Sequence, residues 1–299
     1  MTFDVVCFGA LNVDRLYKVN RIAEAEGESE IQEYVESPGG SAANAAVGLA
    51  RLGVRTGFVG KVAAGRDGDY LLDAFRREGV DTGGIIITKS GRCGSVTGFV
   101  DQKGQRALYL DPGVNSALRF DEINSEYVAG AKYLHLSSFA SGVPLRAQIK
   151  LADKFPEVAV TLDPGMIYAR KGLASLRPLV KKCFAVLPNE GELKLLTGKG
   201  CPEGAEELLD EGVKVVAVKL GERGCYVTNG KEGHHIEPYK VNVVDTTGAG
   251  DAFCAGFIYG LLNRKPLKEC GKIGNYVASR VLTEMGARSG LPRRDELPV

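Results

Sequence analysis

The run Val244-Asp-Thr-Thr-Gly-Ala-Gly-Asp-Ala-Phe253 puts two threonines, two glycines and two aspartates at the entrance of an apolar stretch that continues to Leu262. That stretch has the apolar density of a buried helix. The first N–H groups of a helix have no partner inside it. Small residues leave them unshielded, and with the positive end of the helix dipole they can hold phosphate or another anion. Asp251 stands where that anion would arrive, and its charge would repel a resident phosphate. Spacing alone leaves two readings open. Either Asp251 complements the dipole, worth about 0.3–1 kcal/mol, or it takes a proton from a group that attacks phosphorus.

Other polar residues stand at strand ends and helix starts. The apolar run 3–9 ends in Gly9, and Asn12 and Asp14 follow at its carboxyl end, the edge where open α/β sheets bind ligands. Asp14 could equally hydrogen-bond the next turn. Pro38-Gly39-Gly40-Ser41 opens a small-residue helix, 42–52, closed by Gly53, with Asn44 in its first turn. A buried amide there needs a partner, which a ligand hydroxyl or a loop carbonyl would supply. Asn189 and Glu192 have the spacing of a capping box. Lys219 ends an apolar run, as a solvated side chain or as a phosphate contact.

The elements that must carry these residues follow from periodicity. Residues 30–36 alternate as a half-exposed strand, so 15–36 reads as an inserted β excursion. A helix spans Asp69–Glu78, after a strand at Val54–Gly60. From Ile85 to Leu110 strands return, separated by a turn at 101–104, and Asn115 stands on the way out. The two β excursions, about 13–37 and 90–112, are expected to pair as a small lid. Beyond residue 120 strands at 133–136, 158–163, 185–187, 215–219 and 224–228 alternate with helices, and helices 251–263 and 267–285 close the chain. This pattern predicts a single α/β domain over 1–299, a mostly parallel sheet flanked by helices.

Composition narrows the classes. The chain has 299 residues with a formal net charge of +1, so no basic surplus points to nucleic acid. Its apolar runs are too short to span a bilayer, and the first residues read as a strand rather than a signal peptide. Seven dispersed cysteines, without a C-x-x-C pair, fit a reducing compartment, so a cytoplasmic protein is expected. The histidines have no metal spacing; His135 is expected buried in a strand and His234-His235 in a turn.

Three stretches together resemble the ribokinase-like (PfkB) carbohydrate and nucleoside kinases. Gly39-Gly-Ser-Ala-Ala-Asn-Ala-Ala-Val-Gly-Leu-Ala-Arg-Leu-Gly53 is similar to the amino-terminal signature, and Asp245–Phe253 to the carboxyl-terminal one. Leu187-Pro-Asn-Glu-Gly-Glu192 carries the N-x-x-E motif, and the likeness runs from Gly9 to Pro292. The resemblance implies a ribokinase-like fold and phosphoryl transfer from ATP to a sugar or nucleoside hydroxyl. It makes Asp251 the base and the N–H groups of Gly248, Ala249 and Gly250 an anion hole. Asn12, Asp14, Gly39, Gly40 and Asn44 would bind acceptor hydroxyls, with Asn115 and Arg170 as further candidates. Asn189 and Glu192 would organise Mg²⁺ through waters. Lys219, Gly221, Gly224 and Asn275 match nucleotide-binding positions, and Asp245 and Thr247 a monovalent cation (K⁺) region.

Departures blur the acceptor. Ribokinases usually carry lysine where this chain has Ser41, and glutamate near Ser137-Ser-Phe139. Arg92, Arg106 and Arg170 could reach an anionic substrate or lie on ordinary surface, and Tyr17, Tyr34, Phe99 and Tyr109 could stack on a base or pack the lid. Alternatives are therefore a phosphosugar kinase of the ribose 1-phosphate or fructose 6-phosphate type, with ADP as a possible donor, and a non-catalytic sugar- or nucleotide-binding regulator. A dinucleotide-dependent oxidoreductase is excluded, because no G-x-G-x-x-G follows the first strand. The lid's exposed edge predicts a homodimer.

Overall fold

The computed structural model describes residues 2–103 and 105–298, without the Arg106 side chain. The side chain of the candidate Arg106 and the turn glycine at 104 therefore lie outside what the structure describes. Strand β1 (Val5–Phe8) leads into β2 (Asn12–Val19), which returns as β3 (Ile31–Gly39) before helix α1 (Ser41–Arg51). Next come β4 (Thr56–Ala63), α2 (Arg66–Arg77), β5 (Asp81–Thr88), β6 (Gly94–Val100) and β7 (Arg106–Asp111). Strand and helix then alternate through β8 (Tyr133–Ser137), α3 (Gly142–Lys154), β9 (Ala159–Asp163), α4 (Gly165–Ala169) and α5 (Gly172–Val180). The order continues with β10 (Cys183–Val186), α6 (Glu190–Thr197), α7 (Glu203–Asp210) and β11 (Val215–Lys219). Strands β12 (Cys225–Thr228) and β13 (Gly233–Ile236) precede the closing helices α8 (Ala249–Leu262) and α9 (Leu267–Val281).

The large sheet has the order β13-β12-β11-β10-β9-β8-β1-β4-β5. It is parallel from β11 to β5, with β12 and β13 antiparallel at one edge. Its inner strands, from β12 to β4, are buried and rich in valine and leucine because helices cover both faces, while the edge strands β5 and β13 are partly exposed. From β1 the chain first builds outward through β4 and β5, and later outward the other way from β8. The switch between these directions lies between β1 and β8, where such sheets open a crevice at their carboxyl ends.

A second sheet, β3-β2-β6-β7, stands on that edge. Its central pair, β2 and β6, is parallel, with Asn12 opposite both Gly94 and Gly39 at its root. Tyr17 packs against Tyr34 and Phe99, with ring centroids 5.1 and 5.4 Å apart.

Three local expectations differ from the structure. The strand begun at Ile85 is part of β5 and joins the large sheet. His234 and His235 lie in β13, opposite Val227 and Tyr226, because a short polar edge strand has too little periodicity to show. Helix α5, with Pro178 inside it, was not expected from the pattern. His135 is buried as expected and bonds Thr161 at 3.0 Å; burial pushes its pKa down to about 4.

Candidate active site

Helices α1 and α8 bring the two signature stretches together. Asn44 Nδ2 donates to Asp251 Oδ2 at 2.8 Å. One turn further along each helix, a Cβ on Gly48 would lie 2.8 Å from the Ala255 methyl. Contacts that advance by a turn on both helices mean the two run in the same direction. Their positive amino ends therefore converge on one spot. The alanines and glycines of both helices permit this approach, since larger side chains would hold the axes apart.

Asp251 sits at that convergence. Burial, then the negative charge of Asp163, pushes its pKa up to about 7. The hydrogen bond from Asn44 and the charges of Lys219 and Arg288 act in the opposite direction. The carboxylate is thus poised near neutrality, the condition a general base needs. Gly248, before the first turn of α8, has φ 78°, and a Cβ there would meet Ala287 at 2.5 Å. The loop can turn its backbone N–H groups toward a ligand only with glycine at this position. Asp245 holds the same loop: its Oδ1 accepts from Thr247 N at 3.0 Å and Thr247 Oγ1 at 2.8 Å, and its Oδ2 from Gly286 N at 2.9 Å.

Lys219 is not a solvated side chain. Only 12% exposed, it donates to Asp163 Oδ2 at 2.7 Å, and a Cβ on Gly250 would come within 3.5 Å of its Nζ. Burial alone would lower its pKa; Asp163 outweighs that and holds the ammonium charged. Asp163, at the end of β9, went unassigned in the sequence, though the strand-end rule that singled out Asp14 applies to it equally. Beside this pair, Asn189 and Glu192 form the expected reciprocal capping box, both bonds 2.8 Å. Burial and the charge of Asp163 raise the Glu192 pKa. Gly221 and Gly224 bracket the turn between β11 and β12.

At the root of the small sheet, Gly39 packs directly on the Asp14 carboxylate, which leaves no room for a Cβ, and Gly40 stands at the start of α1 with φ 110°. Burial pushes the Asp14 pKa up to about 6, against the pull of Arg288. Ser137 Oγ accepts from Ala42 N at 3.2 Å and so pins the entrance of α1. Asn44 finds its partners in Asp251 and in Arg288, whose Nε donates to Asn44 Oδ1 at 2.8 Å. Arg288 lies near the carboxyl end of the region of likeness, and the sequence gives it no role.

The remaining candidates are placed differently. Asn115 is buried and committed to protein: it bonds Leu11 N and O at 3.1 and 2.9 Å and Asn12 Oδ1 at 3.0 Å. Asn275 Nδ2 donates to the carbonyls of Ile236 and Glu237 at 3.1 and 3.0 Å. Arg170 is exposed just after α4, and Arg92 is exposed with Asp111 2.9 Å away. Neither is brought to Asp251 by any contact among the described residues.

A glycine-rich helix start with a carboxylate of raised pKa, beside a lysine–aspartate ion pair at a parallel sheet's carboxyl edge, fits a phosphotransferase with a hydroxyl acceptor. The chain belongs to the PfkB family of carbohydrate kinases, whose family profile matches residues 2–294. It is 42% identical over 250 residues to an uncharacterised sugar kinase of Archaeoglobus fulgidus, covering 83% of this chain and 99% of that one. The ribokinase structure from Thermotoga maritima superposes with a TM-score of 0.88 at 29% identity, over 98% of this chain and 97% of the other. The Arabidopsis thaliana ribokinase complexed with ribose and ATP is similar at TM-score 0.88 and 26% identity, over 99% and 97%.

Proposed function

We propose that the chain transfers the γ-phosphoryl group of ATP to a hydroxyl of a sugar or nucleoside, with Asp251 as the base. The observation that carries this reading is the Asp251 carboxylate, half-buried at the α8 entrance and held by Asn44. The acceptor hydroxyl gives its proton to Asp251 as its oxygen bonds to phosphorus. The N–H groups of Gly248, Ala249 and Gly250 take up negative charge on the transferring group, and Lys219 lies within reach of the same place. Asn12, Asp14, Gly39, Gly40 and Asn44 form the acceptor end. Asn115 and Asn275 act through the backbone they fix, Asn275 at the β13 end near which Gly221 and Gly224 shape the nucleotide side.

Among the described residues no cluster of three or more His, Cys, Asp or Glu groups could cage a metal. The buried Glu192, with Asn189, fits a Mg²⁺ that keeps its waters and leans on nucleotide phosphates. When bound, Mg²⁺ neutralises phosphate charge. Asp245 and Thr247 supply the oxygen donors a monovalent cation such as K⁺ prefers. Among the described residues no helix is long and apolar enough to cross a membrane. The small sheet serves as a lid over the acceptor and as the dimer surface, its edges carrying exposed Ile31, Val35, Leu108 and Tyr109.

The test is a coupled assay for ADP release across ribose, fructose, adenosine, inosine and cytidine, with wild type and Asp251→Asn. Turnover with at least one acceptor, falling 10²–10⁴-fold in the variant at unchanged KM for ATP, is expected, about the range for loss of a general base. Turnover that survives the substitution refutes the assignment of the base.

A further inference from the structure

Among the described residues, three buried side-chain polar atoms lack a hydrogen-bond partner: Asp14 Oδ1, Ser29 Oγ and Arg288 Nη2. Ser29 lies between β2 and β3, away from the signature loops. The other two belong to the acceptor end. Asp14 and Arg288 are close enough for each charge to act on the other, yet no bond joins these two atoms. Leaving a buried donor or acceptor unmade costs about 1–3 kcal/mol, and native proteins keep few such atoms without a reason.

Arg288 is fixed before any ligand arrives. Its Nε donates to Asn44 Oδ1 at 2.8 Å, and its guanidinium lies 5.7 Å over the Phe75 ring. Its carbonyl accepts from Arg51 Nη1 at 2.8 Å, and Arg51 is itself held by Glu78 at 2.7 Å. Its Nη2 is buried and has no hydrogen-bond partner. A side chain held this firmly gives affinity without the entropy cost of ordering it on binding.

Charge decides what it meets. Asp14 balances Arg288, and Asp251 adds a further negative charge, so an anionic substituent here would face two carboxylates. Other arginines near the small sheet are already neutralised: Arg15 by Asp67 and Glu36, Arg66 by Glu36, Arg92 by Asp111. A hydroxyl that donates to Asp14, beside an oxygen that accepts from Arg288, satisfies both orphaned atoms without adding charge. We infer that Arg288 is an acceptor-binding residue which, with Asp14, reads neighbouring neutral hydroxyls of a polyol rather than a phosphate or carboxylate group. This deepens the kinase reading above and rests on it for the location of the acceptor.

The test compares wild type, Arg288→Gln and Arg288→Lys. Calorimetric titration without nucleotide uses D-ribose, D-fructose and adenosine against ribose 1-phosphate and D-gluconate, and then monodeoxy analogues of the best binder; steady-state kinetics follow with the same acceptors. Wild type is expected to bind a neutral acceptor most tightly. Arg288→Gln should weaken it about 10–100-fold, as loss of a hydrogen bond to a charged group does, with KM for ATP unchanged. For one deoxy analogue the difference between wild type and variant should collapse, a pattern that general damage to the fold cannot produce. Arg288→Lys carries the same comparison if the glutamine variant does not fold. Tighter binding of an anionic acceptor, an unchanged acceptor affinity in the variants, or equal penalties for every analogue overturns the inference. Polyol binding with this pattern but no phosphoryl transfer would overturn the kinase reading and uphold this one.

Discussion

At the scale of single residues, the carboxylate of Asp251 is set by competition between its surroundings. Burial and Asp163 raise its pKa to about 7, while Asn44, Lys219 and Arg288 restrain it. For the free enzyme, kcat/KM should therefore climb with unit slope as pH rises toward about 7 and then level. Removing the Asn44 hydrogen bond takes away one restraint, so Asn44→Ala should move that limb to higher pH; a limb that stays in place or moves down contradicts the assignment. Stability carries the opposite sign. The folded-state pKa lies above the ordinary 3.8, so the folded chain keeps a proton that the unfolded chain releases across about pH 4–7. The contribution of this group to stability thus falls as pH rises through that window. Asp251→Asn should consequently raise the Tm by roughly 2–4 °C at pH 8, a gain that fades below pH 4. Melting curves at the two pH values check it.

Among the elements, α1 and α8 matter most, because their parallel contact places both polar groups of Asn44 and the Asp251 carboxylate at one point. The entrance of α8 depends on Gly248, with φ 78° and Ala287 against it. Gly248→Ala should lower kcat by about 10²–10³, the usual cost of displacing an anion-hole donor, and lower the Tm as well. Wild-type turnover in that variant would show that the loop does not hold the transferring group. The limits of sequence reading show at this scale too. Helix α1 was legible because its alanines end at Gly53, and the start of α6 because Asn189 and Glu192 announce a capping box. Strand β13 and helix α5 were not, since one is a short polar edge and the other carries Pro178.

For the whole molecule, the two sheets divide the work. The large parallel sheet aligns Gly9, Ser137, Asp163, Asn189 and Lys219 along one edge, and the small sheet rises from Asn12 and Gly39 beside it. Ion pairs from Arg15 and Arg66 to Glu36 and Asp67 tie its root to α2. Its edge strands expose Val35 at 56% and Tyr109 at 64%, the kind of edge that pairs with a second copy. Sedimentation velocity should show a dimer for the native chain and a monomer for Val35→Asp with Tyr109→Asp. A native monomer would remove the small sheet's second role.

The amino-acid sequence by itself determined the local devices: glycines where backbone must approach a ligand, polar residues at strand ends, helix starts built from small residues. These depend on near neighbours in the chain and on the alternation of strand and helix. Only the tertiary structure decided which devices meet. Asn44 and Asp251 are 207 positions apart, and nothing local to either names the other. Lys219 looked free to be solvated until Asp163 appeared beside it, and Arg288 was one arginine among many until the fold buried it against Asn44. The partner of a buried charge is chosen by packing, and packing belongs to the whole chain.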